Sequence, residues 1–290
     1  MSVREPAVAG MFYRAGAAEL KEQVESCFLG AGGPGSLPGV NPEGARKIVG
    51  LVSPHAGFMY SGSVAAWAYH RLAEDGLPET AVLIGPNHRS YFPAVALSND
   101  RAWRTPMGEV ELDAAAAAEI ASSYPDAKVE PSVHRGEHSL EVQLPFLQYV
   151  AGLGRTGIRI VPILIGALAR SGDGAKLARQ LGGAIADALR DKNAVVIAST
   201  DFTHYESSEA ARIKDSRAIS GILALDEEGL LDTVDALDIS MCGALPTAVT
   251  IAASKKLGAV SARQLVYRSS GDVTGDYAEV VGYAALEINR

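Results

Sequence analysis

Apolar residues along the chain fall into two rhythms. Short unbroken runs, "KIVGLVS", "TAVLIG", "IRIVPILIG" and "NAVVIAS", have the make-up of strands buried on both faces. Between them lie stretches with helical spacing at 17–28, 63–74, 114–122, 174–190, 208–225 and 244–257. Asp113 stands where it would cap the alanine-rich helix. "SLEVQLPFLQYV" reads as a further helix, capped by Ser139 and kinked at Pro145. "AVALS" and "GEVEL" read as short strands. "ARQLVYRSS" and "AEVVGYAALEI", joined through a "GDVTGD" turn, read as an antiparallel pair. Strands alternating with helices predict a three-layer α/β/α fold around a mixed, largely parallel central sheet, as a single domain over residues 1–290.

Residues 29–45 interrupt the pattern with glycine and proline and read as a surface loop. They contain a formal G-x-G-x-x-G at Gly30–Gly35. No strand precedes it, and Pro34 and Pro38 forbid the helix that a dinucleotide site requires.

Composition narrows the function. The 290 residues are about 48% apolar and carry a formal net charge of −8. An acidic chain without clustered cations argues against nucleic acid or an anionic membrane as the main partner. The longest apolar run is too short to span a bilayer, and the first residues have no signal-peptide core. Two cysteines, Cys27 and Cys242, make no disulfide framework, so a cytoplasmic protein with reduced thiols is expected. G-x-S-x-G, the Walker lysine, C-x-x-C and H-E-x-x-H are all absent, which weakens serine-hydrolase, nucleotide-hydrolase and zinc-protease readings.

The polar residues collect where strands stop. "LVSPHAG", "LIGPNH" and "IASTDFTH" each place a histidine (His55, His88, His204) beyond a strand's carboxyl end, where open α/β sheets bind ligands. One such histidine is ordinarily a loop residue; three of six in one class of position suggest converging metal ligands. Cys242 precedes a helix starting at Ala244. A helix amino terminus there would favour a thiolate, while the plain alternative is a small buried hydrophobe. Cys27, inside an amphipathic helix, reads as structural. "HRGEHSLEVQLPF" supplies His134, Glu137, His138 and Glu141. A capping box from Ser139 fails on spacing, leaving a role in orienting a ligand histidine or shuttling a proton.

At these residues the sequence resembles the Memo family, known in bacteria and archaea as AmmeMemoRadiSam system protein B. The pieces are "REPAVAGMFY", "SPHAGFMYSG", "GPNH", "TPMGEVELD", "EHSLEVQLPFL", "STDFTHY", "MCGALPT" and "GDVTGDYAEVVGYAA", spanning residues 4 to 285. The resemblance implies a likeness to the catalytic subunit of class III extradiol dioxygenases, with His55, His88 and Cys242 at metal-binding positions and Asp201 and His204 lining the same pocket. His204, oriented by Asp201, would then be the acid/base residue. Those dioxygenases hold iron with two histidines and a carboxylate. A cysteine in the third position suits iron of a different chemistry, copper or zinc. This leaves three readings: a redox enzyme, a peptide- or protein-binding module, and a metal-buffering protein. A small-molecule or peptide ligand in the pocket and a radical S-adenosylmethionine enzyme as partner are implied by the resemblance.

Overall fold

A computed structural model describes residues 2–41, 46–89, 95–166 and 174–290. The elements in order are β1 (Val3–Arg4), α1 (Ala17–Leu29), β2 (Ile48–Ser53), α2 (Phe58–Asp75), β3 (Thr80–Pro86), β4 (Val95–Leu97), β5 (Ala102–Thr105), β6 (Gly108–Glu111), α3 (Ala114–Ser123), β7 (Ala127–Val129), α4 (Leu144–Gly154) and β8 (Arg159–Ile165). They continue with α5 (Gly174–Leu189), β9 (Ala194–Ser199), β10 (His204–Glu206), α6 (Ser208–Leu223), α7 (Glu227–Ala236), α8 (Ala244–Lys256), β11 (Ser261–Ser269), α9 (Gly271–Thr274) and β12 (Val280–Asn289).

The main sheet has nine strands in the order β10-β12-β2-β9-β3-β8-β4-β7, with β11 also pairing with β12. β2, β9, β3 and β8 are parallel; β4 turns antiparallel to β8, and β11 and β12 form the expected antiparallel pair. The pleat sends alternate side chains to opposite faces. Leu51, Leu83 and Ile197 pack with α1, α2 and α4. Val82 and Val196 pack with α3, α5 and α8, and Val52 and Ala198 with α6 to α8. Both faces are covered, so the three-layer α/β/α expectation holds. Strands β1, β5 and β6 make a small second sheet.

Register sets the level at which the chain leaves the sheet. Ser53 of β2 pairs with Ser199 of β9, and Ile84 of β3 with Ala198. The three central strands therefore end side by side, and the segments just past them, Pro54-His55, Thr200-Asp201 and Asn87-His88, emerge on one rim.

Some local readings change. Pro145 does not kink a helix. It occupies the first turn of α4, where its missing N–H costs nothing, and the preceding Glu141–Gln143 form a 3₁₀ turn. Ser139 is not a cap; its hydroxyl donates to the Pro86 carbonyl. Asp113 does cap α3, accepting from Ala116 N at 3.0 Å. The helix expected at 63–74 starts at Phe58, "GDVTGD" contains the short α9, and α7 has no counterpart in the sequence pattern. Residues 42–45 of the glycine- and proline-rich loop lie outside the described residues.

The amino-terminal segment is tied down by a buried ion pair. Arg4 and Glu141 meet at 2.7 Å, and both side chains are almost fully buried. Arg4 also donates to the carbonyls of His134 and Glu137, and its guanidinium lies 4.3 Å over the Trp103 ring. Glu141 accepts from Ala7 N, Val8 N and the Tyr13 hydroxyl. So Glu141 anchors the start of the chain and orients no ligand histidine. Removing one partner leaves a buried charge uncompensated, so Glu141→Leu is expected to cost about 3–5 kcal/mol in urea unfolding. The double variant Arg4→Met/Glu141→Leu is expected to recover only the part due to the uncompensated charge, because the amides of Ala7 and Val8 and the Tyr13 hydroxyl still lose their acceptor.

Candidate metal centre

The parallel strand ends carry the cluster. Donor atoms of His55, His88 and Cys242 all lie within 4.8 Å of one another, and Cys242 Sγ is 3.4 Å from His55 Nε2. Cys242 reaches the rim because α8 abuts β9. Gly243 N donates to Thr200 Oγ1 at 2.9 Å. A Cβ at Gly243 would sit 2.4 Å from Thr200 Cβ, so only glycine allows this approach. Gly85 serves similarly on β3, where a Cβ would meet Leu140 at 2.7 Å.

One hydroxyl fixes the His55 tautomer. Ser199 Oγ donates its single proton to the Ser139 carbonyl at 2.6 Å and accepts from Gln143 Nε2 at 2.8 Å. The Gln143 amide is itself oriented, because it also donates to the Pro54 carbonyl and accepts from the Tyr69 hydroxyl. Ser199 can therefore only accept from His55 Nδ1, 2.9 Å away. The proton sits on Nδ1, and the Nε2 lone pair faces Cys242.

Glu137 does the same for His88. Its Oε1 lies 3.1 Å from His88 Nδ1 and also accepts the amides of His138 and Ser139; its Oε2 accepts His88 N. Burial alone would raise this carboxyl, but the His88 hydrogen bond and charge, with His138 and the amides, hold it well below the usual range. His88 thus keeps its proton on Nδ1 and presents Nε2. The His138 ring stacks on His88 at 5.0 Å, and burial pushes it down to about 4. His88, Glu137 and His138 form a second close grouping of possible ligand atoms. His55, held lower by burial and by His88 and His138, is likewise a neutral imidazole.

Asp201 stands on the other side. It is 5% exposed, and its Oδ1 accepts His55 N at 2.8 Å. Burial outweighs these hydrogen bonds and raises the carboxyl to about 6. It does not orient His204. That ring donates from Nδ1 to the Ser240 carbonyl at 2.9 Å, and its backbone N donates to Ser240 Oγ. Cys242 is open, from the sequence, to either a thiolate or a small buried hydrophobe. It precedes the Gly243 cap of α8, and its sulfur receives the Asp201 N–H at 3.3 Å. Burial and the Asp201 charge push the thiol up to about 12. Cys27 is buried and structural in position, its thiol also raised by burial.

His138, Asp201 and His204 open onto a cleft of about 520 Å³ whose walls include Phe12, Tyr60, Tyr205 and Tyr283. Asp276 and Glu279 stand at its side, and no lysine or arginine among the described residues lines it. A smaller cavity of about 160 Å³ touches His88 and Cys242. Sequence reasoning flags the three ligand candidates but misses Ser199, Gln143 and Ser240. Their hydroxyl or amide chemistry is common, and only the fold shows what each one faces.

His134 lies away from the cluster, wholly buried with its ring edge-on to Trp103 at 5.5 Å. Burial, with help from Arg4, pushes it down to about 4. An unfolded histidine near 6.5 binds a proton that the fold refuses, so stability is complete above that pH and falls as pH drops from about 6.5 toward 4. The shift corresponds to about 3 kcal/mol. Urea unfolding between pH 7 and 4 is expected to show a shallower slope, by about one proton, in His134→Gln.

Comparison with known proteins places the geometry in context. Residues 4–287 match the family model described as Memo-like protein. A MEMO1 family protein of Methanopyrus kandleri is 47% identical over 289 residues, covering 99% of both chains. One of Methanothermobacter thermautotrophicus is 44% identical over 286 residues, covering 98% of this chain and 99% of its own. Another, from Ignicoccus hospitalis, is 44% identical over 289 residues and 99% of both chains.

Proposed function

The chain belongs to the Memo family, and from that premise we propose that His55, His88 and Cys242 hold one iron or copper ion that serves a redox reaction on a ligand bound in the cleft. The single observation carrying this is the set of three donors already aimed at one point. Two imidazoles have their free lone pairs turned inward by Ser199 and Glu137. Ligands about 2.1–2.3 Å from a common ion lie about 3.5 Å apart, and the Cys242–His55 separation of 3.4 Å fits. Two nitrogens and one sulfur suit copper, zinc or iron better than magnesium or calcium. The His88–Glu137 pair is the carboxylate–histidine arrangement that stiffens metal ligands.

When bound, iron or copper would supply electron transfer and open coordination positions. The chain's own groups do the rest. Asp201 clamps the His55 backbone, and Ser199 and Glu137 hold the two rings. Ser240 keeps the Nδ1 proton of His204, leaving Nε2 to accept or return a proton from a ligand in the cleft. The aromatic walls receive an apolar ligand body, and the carboxylates nearby disfavour a strongly anionic one. A cleft of this size, reached from the donors through Asp201 and His138, favours turnover over simple metal buffering. No helix among the described residues is long and apolar enough to cross a membrane. A radical S-adenosylmethionine enzyme remains the partner proposed by resemblance.

Protein purified without oxygen is expected to carry about one iron or copper per chain by elemental analysis. Cys242→Ser and His88→Ala are expected to lose it, and Glu137→Gln to bind about 10–100-fold more weakly. Full loading in Cys242→Ser would remove the sulfur from the site. Oxygen uptake with catechols tests the reaction class. His204→Gln is expected to slow turnover about 10²–10⁴-fold at unchanged metal content. Stable loading with no uptake would favour the buffering reading.

A further inference from the structure

At the opposite end of the sheet lies a further cavity, of about 270 Å³. It is lined by Arg46, Arg190, Lys192, Lys256 and Arg290, with Asp187 as the one carboxylate among the described residues. Five cations around one small space stand out in a chain of net charge −8.

Part of this has an ordinary cause. Arg190 follows α5 and Lys256 ends α8, and cations suit helix carboxyl termini. These two also share Asp187, at 2.5 and 2.6 Å. Lys192 has Glu119 at 3.9 Å. Arg46 and Arg290 are different: neither lies on a helix, and neither has a carboxylate within ion-pair distance among the described residues.

Arg46 is 8% exposed. It donates Nε to Asn193 Oδ1 at 3.1 Å, Nη1 to the Ile48 carbonyl at 2.7 Å and Nη2 to the Ala194 carbonyl. A guanidinium has five N–H donors, so two have no partner among the described residues. Arg290 packs beside it, donating Nε and Nη2 to the Arg46 carbonyl at 3.2 and 3.0 Å. Burial and then the Arg290 charge push Arg46 down to about 10, with Asp75 opposing. Asp75 is already engaged by the amides of Lys47 and Ile48. A buried cation next to a like charge is costly unless an anion compensates it.

We propose that this cavity binds a small multiply charged anion of the phosphate class, free or as the phosphate end of a larger molecule. The volume is just below that of drug-sized pockets, which suits one or two phosphate groups. Arg46 and Arg290 offer forked donors that match phosphate oxygens, and the lysines add point charges. The site is independent of the metal cluster.

Calorimetric titration of the full chain with inorganic pyrophosphate, after chelator treatment so that no metal takes the ligand, tests this directly. One pyrophosphate per chain is expected. Lys192→Gln/Arg290→Gln is expected to weaken it at least about tenfold. Lys21→Gln/Lys128→Gln, which removes the same charge elsewhere, is expected to leave it unchanged, as is Cys242→Ser. Adenosine diphosphate binding more tightly than pyrophosphate would identify a phosphate-bearing molecule as the occupant; pyrophosphate binding more tightly would identify the free anion. No heat with either, equal weakening in both double variants, or loss in Cys242→Ser would overturn the proposal. A chain that never loads metal would leave this result untouched.

Discussion

The parallel pairing of β2, β9 and β3 is the constraint on which the molecule turns. Because Ser53 lies opposite Ser199 and Ile84 opposite Ala198, three hydrophobic strands end at one level. Backbone polar groups must leave the sheet there, and the first side chains past that line are the polar ones. A slip of one residue would turn each strand's side chains to the opposite face. It would also carry Ser199 away from His55, and with it the acceptor that decides where the imidazole proton sits. Strand packing and the His55 tautomer are thus two expressions of one register.

The same rim holds two carboxyl groups pushed in opposite directions. Glu137 collects three backbone amides and a histidine, so its charge is well solvated by the protein and it remains ionised. Asp201 is buried with fewer donors, and its carboxyl is raised toward neutrality. Environments that separate two similar groups in this way divide labour between them. One is a fixed negative post behind the His88 ring; the other is a carboxyl raised by burial beside the cleft.

Much of this is legible in the sequence, for reasons that can be named. Buried strands announce themselves by unbroken apolar runs, and a histidine just past such a run has few places to go. That logic finds His55 and His88 and the α/β/α layering, while Cys242 shows itself by its place just ahead of the helix at Ala244. It fails where two residues of one type sit four apart. Glu137 and Glu141 look interchangeable on paper, yet one faces His88 and the other Arg4, because a 3₁₀ turn intervenes before α4. It fails again for His204, where the nearby Asp201 is the obvious orienting partner and Ser240, 36 residues later, takes that part. Helix α7 escapes because its apolar positions are few and its first turn is acidic. For Cys242 the sequence leaves thiolate and small buried hydrophobe both open, and only the fold shows the burial and the Asp201 charge that raise its thiol.

The Arg4–Glu141 tie has a consequence for how the molecule is assembled. Phe12, on the anchored segment, forms part of the cleft wall, and its carbonyl accepts Phe58 N. The partner that fixes this segment lies 137 residues further along. During synthesis Arg4 must therefore wait for its carboxylate until Glu141 has emerged. Closing so long a loop is entropically slow. A chain halted before Glu141 would keep the Phe12–Phe58 hydrogen bond and the β1–β5 pairing but lack the carboxylate that holds Arg4, Ala7, Val8 and Tyr13 together.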